Sequence, residues 1–409
     1  MNYQETLNYL YNSAPLFQHI GKAAYKEGLS NTYALDDHFR HPHQKFRTIH
    51  IAGTNGKGSC SHTLAAILQS AGYRTGLYTS PHLVDFRERI RINGTPVPQE
   101  FVVDFVKKHR RFFEPLHPSF FELATSMAFH YFAEEQVDVA VVEVGLGGRL
   151  DCTNIIHPDL CLITNISFDH VQFLGNTLAQ IASEKAGIIK DYVPVVIGET
   201  TPETRPVFEE KAWKAHAPLI FAEEEQLLKD ARQNADGTWT YQTSDYPDLQ
   251  GELGGYYQLK NTNTLLSAIR QLKQAGYSIS EANVREGFAH VCSLTGLMGR
   301  WQKLGSNPTI VCDTGHNTGG IRYIVEQLRN QTYDTLHIVI GMVNDKDISG
   351  VLAMLPKEAR YYFTQASVQR ALPADKVKEL AASCTTDADI AAAVYDYMVK
   401  NLSLIHISE

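Results

Sequence analysis

The chain has 409 residues, 44% apolar and 20% charged, and its 37 Lys+Arg against 45 Asp+Glu leave a net charge of −8. This is the balance of an ordinary soluble protein with a full core, long enough for about two or three domains. An acidic chain is a poor general binder of nucleic acid, so an anionic ligand must sit in a local pocket of amides, lysine, arginine or metal. The six cysteines are scattered without a C-x-x-C pair, which indicates neither a zinc site nor a disulfide framework and fits a reducing cytosol. The N-terminal "MNYQETLNYLYNSAPLF" lacks the basic and apolar regions of a leader, and runs such as "VDVAVVEVG" are too short to span a bilayer.

In chain order, "FRTIHIAG" (46–53), "TGLYTS" (75–80), "VDVAVVEVG" (137–145), "LCLITNIS" (160–167) and "VPVVIG" (193–198) are nearly continuous apolar runs, as expected of parallel strands covered on both faces. Helical patterns separate several of them, beginning with "SCSHTLAAILQSAG" at 59–72. That alternation predicts a doubly wound α/β domain over residues 1–292. "NADGTWT" (234–240) reads as a hairpin turning at Asp236-Gly237. A helical stretch at 254–276 follows, and "SLTGLMG" (293–299) is the expected linker. Beyond it, "TIVCDTG", "TLHIVIGMV" and "ARYYFTQA" predict a smaller α/β, Rossmann-like domain over 300–409. "DADIAAAVYDYMVK" (387–400) is a good amphipathic helix, and the last eight residues, "LSLIHISE", read as a short strand or as the translation of a common sequencing-library adapter. On the second reading 401–409 are an artefact and the natural C-terminus differs.

Gly53-Thr54-Asn55-Gly56-Lys57-Gly58-Ser59 lies between a strand and a helix. It departs from the G-x-x-x-x-G-K-[ST] string: the loop is shorter, and a glycine separates Lys57 from Ser59. Successive amides and a helix N-terminus still make an anion cradle, with Lys57 as a point charge and Ser59 as a Mg²⁺ ligand. The bland alternative is a tight turn with a solvated lysine. Glu143 ends a buried strand, where α/β proteins place a Mg²⁺ ligand opposite the phosphate loop; the alternative is a carboxylate capping the next loop. Two more strand ends carry polar clusters, Thr79, Ser80 and His82 in one, Asp169 and His170 in the other. A lone histidine is more often structural than a ligand.

Six motifs then occur in order: "GTNGKGS", "TSPHLVDFRERI", "EVGLGGRLDCTN", "SFDHVQFLG", "IASEKAGIIK" and "DTGHN". Together they closely resemble folylpolyglutamate synthase and the bifunctional dihydrofolate synthase, relatives of the Mur ligases. The resemblance runs from the N-terminus to about residue 400. It implies a Mur-ligase-like fold, with a P-loop domain for ATP and the pterin or folate, and a C-terminal glutamate-ligase domain.

Residue by residue, the resemblance puts ATP on Gly53, Thr54, Asn55, Gly56, Lys57, Gly58 and Ser59, with Asn261, Arg300 and Asp313 completing its site; Asn263 rivals Asn261. Magnesium falls on Ser59, Ser80, Glu143 and His170. Lys185 matches a carbamylated lysine, although alone it reads as a surface helix lysine. Phe121 and Asp151 match pterin-holding positions, though an aromatic at 121 is otherwise most often core. Arg89 and His316 match residues tied to glutamate. Alone, Arg300 reads as a salt bridge between linker and domain. The resemblance implies a monomeric cytoplasmic ligase acting on dihydropteroate, reduced folates and L-glutamate, without nucleic acid or membrane. A substrate carboxylate attacks the γ-phosphate, and the α-amine of glutamate displaces phosphate from the acyl phosphate; Lys57, Lys185, His170 and His316 are its catalytic candidates. The alternatives are a synthase that only extends polyglutamate, an inactive nucleotide-binding relative, and a Mur-type cell-wall ligase. Members of the family also continue through a final Gly-rich strand that "LSLIHISE" does not match.

Overall fold

A computed structural model describes residues 1–13, 28–344, 347–365 and 371–380. The helix expected at 387–400 and the tail at 402–409 lie outside the described residues.

The centre is an eight-stranded sheet in the order β4-β3-β2-β5-β1-β6-β7-β8. Its strands are β1 (Arg47–Ala52), β2 (Thr75–Tyr78), β3 (Ile90–Ile92), β4 (Thr95–Pro96), β5 (Val139–Glu143), β6 (Leu160–Ile163), β7 (Val195–Ile197) and β8 (Leu219–Phe221). From β2 to β8 across the centre every pairing is parallel. Only β3 is reversed, pairing antiparallel with both β2 and β4 at one edge. The expectation of a doubly wound parallel sheet holds, with an antiparallel edge the apolar runs did not show. β3, β4 and β8 have three residues or fewer, too short for a pattern.

Both faces are covered, which is why the central strands read as unbroken apolar runs. Ile49, Ile51, Leu77, Val141 and Leu162 pack beneath the helices Lys57–Ser70, Gln258–Gln274 and Glu281–Ala289. Tyr78, Ile90, Ala140 and Val142 face the helices Gln99–Phe113 and Phe120–Glu134. Each fully buried Val, Leu or Ile contributes roughly 1.5–3 kcal/mol. The helix Phe120–Glu134 starts at a capping box: Glu122 N–H donates to Ser119 Oγ at 3.2 Å, and Ser119 N–H donates to Glu122 at 2.6 Å. That box fixes where Phe121 stands.

The chain reverses direction across the sheet around β1, so the crevice outside the carboxyl ends of β1, β5 and β6 is the switch point where open α/β sheets bind ligands. The expected hairpin joins β9 (Leu228–Gln233) to β10 (Trp239–Thr243), which β11 (Leu249–Gly251) extends into a small antiparallel sheet, with Gly237 at φ +93° in the hairpin turn. The linker begins later than expected. Residues 293–295 complete a helix, Val291–Thr295, held against the helix Lys57–Ser70 by a 2.8 Å bond between Thr295 Oγ1 and His62 Nδ1 and a 2.8 Å bond from Gln69 Nε2 to Leu294 O. Gly296, at φ +70°, ends that helix in the left-handed region.

Beyond the linker, β12 (Gln302–Ser306) and β13 (Thr309–Cys312) pair antiparallel, while β14 (His337–Ile340) and β15 (Arg360–Phe363) pair parallel. The helices Thr318–Arg329 and Ile348–Met354 share a core with them built on Ile321, Val325, Val351 and Tyr361. This is the smaller α/β domain. No helix among the described residues is long and apolar enough to cross a membrane.

Candidate active site

A cavity of about 650 Å³ opens between the two domains, at the carboxyl ends of β1, β5 and β6. Residues 53–59 form its floor. The loop leaves β1 at Gly53, whose φ of +145° and closeness to Thr164 (an added Cβ would stand 1.8 Å from Oγ1) require glycine. The next strand end anchors it: Thr54 N–H donates to Asn165 O at 2.9 Å, and Thr164 Oγ1 donates to Asn55 O at 2.6 Å. Lys57 opens the helix and folds back over the loop, with Nζ 3.1 Å from both Gly53 O and Thr54 O. The first-turn N–H groups of this helix have no intrahelical acceptors, so the loop presents donors and a positive dipole end to the cavity.

Register places the metal-type residues. Ile51, two residues before the loop, pairs with Glu143 at the end of β5. Glu143 is 3% exposed, and its Oε2 lies 3.4 Å from Ser80 N and 3.9 Å from where a Cβ on Gly58 would sit. Ser59, Ser80, Glu143 and His170 all line the cavity. Hydroxyl and carboxylate oxygens with one imidazole, beside an anion cradle, suit Mg²⁺, which keeps several waters and shares phosphate oxygens.

Lys185 comes from the helix Leu178–Ala186 and donates to Gly53 O at 2.8 Å. It is 5% exposed, and burial first, then the Lys57 charge, push its pKa down to about 7. The surface-lysine alternative does not hold.

The second domain supplies the opposite wall. Arg300 reaches back toward the loop, its Nη2 2.9 Å from where a Cβ on Gly58 would stand. It is held by Gly299 O at 3.2 Å and by Thr314 Oγ1. It forms no linker salt bridge among the described residues. Asp313 accepts from Tyr257 OH at 2.7 Å, Trp301 N–H at 2.8 Å and Gly315 N–H at 2.7 Å, and burial raises its pKa. His316 Nδ1 donates to Thr314 O at 2.9 Å, which turns Nε2 toward Asp169, 3.5 Å away. Asn261 stands against the loop, since a Cβ on Gly56 would lie 2.3 Å from its Oδ1. Its rival Asn263 points elsewhere, bonding Ala222 O at 2.7 Å and Leu228 N at 3.0 Å.

Three expected site residues stand off the cavity. Arg89 is buried in the first domain, donating to His82 Nδ1 at 2.8 Å with its guanidinium 5.3 Å above the Phe120 ring. Asp151 is a turn residue: its carboxylate accepts from Leu146 N–H at 2.8 Å, from Thr153 N–H at 3.0 Å and from the Thr153 hydroxyl. Those bonds leave it little capacity to accept from a ligand. Phe121 is half-buried, its ring against Gly145, which itself lines the cavity. Tyr257 and Asn317 were not singled out from the sequence. Asn317 carries a signal in hindsight, since it caps the helix Thr318–Arg329 through a 2.9 Å bond from Gly320 N–H.

Residues 51–268 match the Mur ligase middle domain, and residues 299–403 match the Mur ligase, glutamate ligase domain. These two matches place the chain in the Mur ligase superfamily. The folylpolyglutamate synthase of Lacticaseibacillus casei is 32% identical over 387 residues, 91% of this chain and 88% of that protein. The dihydrofolate synthase/folylpolyglutamate synthase of Bacillus subtilis is 33% identical over 346 residues, 82% of this chain and 80% of that one. Among solved structures, Escherichia coli FolC in complex with DHPP and ADP superposes with a TM-score of 0.80 at 28% identity, covering 98% of this chain and 92% of that one. A bifunctional folylpolyglutamate synthase/dihydrofolate synthase with Mn, AMPPNP and L-glutamate bound gives 0.79, again at 28% identity, with 98% and 92% covered. The chain belongs to the folylpolyglutamate synthase/dihydrofolate synthase family.

Proposed function

We propose that the chain joins L-glutamate to dihydropteroate and to reduced folates, forming ADP and phosphate from ATP through an acyl phosphate. One observation carries the reading: a phosphate-type loop and a buried carboxylate on one domain face a guanidinium from the other across a single cavity, with Arg300 Nη2 2.9 Å from the Cβ position of Gly58. The related structures with DHPP and ADP bound, and with Mn, AMPPNP and L-glutamate bound, support the choice of substrates and of a divalent metal.

On this reading residues 53–59 hold the triphosphate, with Asn261, Arg300 and Asp313 completing the nucleotide site. Ser59, Ser80, Glu143 and His170 would hold Mg²⁺, which when bound supplies charge to the β- and γ-phosphate oxygens. Carboxylate, ATP and developing phosphate are all anionic, so the chain's work is positioning and charge neutralisation. Lys57 and Arg300 bring positive charge to the transferring phosphoryl group from the two sides of the cleft. The depressed pKa of Lys185 supplies a neutral amine, the form that combines with CO₂ to give a carbamate. His316, oriented by Thr314 O and Asp169, is assigned to the incoming glutamate. Phe121 offers an aromatic face for a flat pterin. The enzyme is read as a cytoplasmic monomer.

The test is ADP release with ATP, L-glutamate and either dihydropteroate or tetrahydrofolate. Turnover with both acceptors is expected. Turnover with the folate alone would leave a synthase that only extends polyglutamate, and no glutamate-dependent release with either would end the ligase reading.

A further inference from the structure

Ser59 lies in the first turn of the helix Lys57–Ser70, is 1% exposed and lines the cavity. A serine within a helix often donates its hydroxyl to the carbonyl four residues back. Here that carbonyl, Asn55 O, already accepts from Thr164 Oγ1 at 2.6 Å and from Asn165 Nδ2 at 3.1 Å, so both of its lone pairs are in use. The Ser59 hydroxyl has one partner among the described residues, Gln258 Nε2, which donates to it at 3.1 Å. Gln258 opens the helix Gln258–Gln274 and is 3% exposed. Its amide is also held from the other end. Asn261, three residues on and on the same helix face, donates from Nδ2 to Gln258 Oε1 at 2.9 Å. That bond turns the Gln258 oxygen to Asn261 and its N–H to Ser59. Asn261 in turn stands with Oδ1 against Gly56 of the loop. Three buried side chains thus run in series from the loop to Ser59, with both hydrogen bonds pointing the same way.

A hydroxyl has one proton and two lone pairs. The Gln258 N–H takes one lone pair of Ser59, which leaves the other for a cation and the proton for an anionic oxygen. Without that N–H the hydroxyl turns freely about its Cβ–Oγ bond, and no lone pair is fixed. Groups that orient a metal's ligands matter to its affinity nearly as much as the ligands themselves. We propose that Gln258 is a positioning residue: its N–H, held in place by Asn261, sets the Ser59 hydroxyl so that the free lone pair meets the divalent metal. This rests on the metal set of the ligase reading. It joins the side chain assigned to the nucleotide, Asn261, to one assigned to the metal, Ser59, through a residue that touches neither ligand.

The experiment titrates Mn²⁺ into the full chain carrying one equivalent of a non-hydrolysable ATP analogue and reads the bound ion by electron paramagnetic resonance. Wild type, Gln258→Met, Ser59→Ala and the double variant are compared. Gln258→Met keeps the length of the side chain and removes the N–H. Gln258→Asn, an amide one methylene short of Ser59, carries the same comparison should Gln258→Met not fold. Each Gln258 variant should bind Mn²⁺ roughly tenfold or more weakly, while its affinity for the metal-free analogue changes far less. In the Ser59→Ala background the Gln258 change should cause no further loss, because the two residues act at one point. An equal loss with and without Ser59 would leave Gln258 a packing role and overturn the proposal, as would an equal loss for the metal-free analogue. A Ser59→Ala loss that the Gln258 variants do not share would strike Gln258 alone. Wild-type Mn²⁺ affinity in Ser59→Ala would instead strike the metal assignment on which the proposal rests, and the proposal with it. No turnover enters the readout.

Discussion

Asn55 and Asn317 exchange two side-chain hydrogen bonds across the domain cleft, Asn55 Nδ2 to Asn317 Oδ1 at 3.1 Å and Asn317 Nδ2 to Asn55 Oδ1 at 3.0 Å. Asn317 also donates to Asp169 Oδ2 at 3.0 Å and caps the helix Thr318–Arg329. One side chain thus ties the phosphate-type loop, the end of the β6 segment and the second domain together. Asn317→Ala should destabilise the second domain by roughly 1 kcal/mol through the lost cap. It should also loosen the closed arrangement, which small-angle scattering would register as a larger radius of gyration. Unchanged scattering and unchanged melting would show that the pair carries no closure energy.

Lys57→Ala should leave the fold intact and remove most turnover. The amides of the loop remain, but the charge at the β- and γ-phosphates does not. Loss of one such contact in the transition state costs roughly 3 kcal/mol, about a hundredfold in kcat. A near-normal kcat in single-turnover measurements would overturn the assignment of the loop.

Lys185 sets a pH dependence with a definite sign. The proposed carbamylation needs the neutral amine, and the folded pKa is depressed from 10.5 to about 7. In bicarbonate-limited buffer, activity should therefore fall as pH drops through about 7 and recover above it. Stability of the unmodified chain follows the same window: between about 7 and 10.5 the unfolded state binds more protons, so stability rises with pH there and is flat on this account below it. Lys185→Ala should lose both slopes, and short carboxylates added to it should restore part of the turnover. Denaturation curves with equal pH slopes in wild type and variant would refute this.

Phe121→Ala should raise KM for dihydropteroate while leaving KM for ATP nearly unchanged, because it removes stacking area and no phosphate contact. Initial rates with each substrate varied in turn decide the matter. Equal KM for dihydropteroate in both proteins would return Phe121 to a packing role against Gly145.

The loop, Glu143 and the strand-end polar clusters were legible because their chemistry is local: glycines between a strand and a helix, or a polar residue where an apolar run stops. Asn261 and Asn263 could not be ranked from the string alone, yet two positions on a helix point to nearly opposite sides, and the structure separates them. Arg89 and Asp151 were drawn toward a ligand by motif, whereas the fold uses them at short range, one beneath a histidine and the other in a turn. The Asn55–Asn317 pair spans 262 positions, and no local pattern announces such a contact.

The antiparallel edge has a consequence for how copies of the chain meet. A bare sheet edge invites a strand from another molecule, and flat edges are where ordered aggregation begins. Here the outermost strand, β4, is two residues long and ends in Pro96, half-buried and without an N–H to offer. A second copy that approached this side would find almost no ladder to join, so the large sheet is closed to growth in that direction by backbone chemistry, with no need of repelling charge.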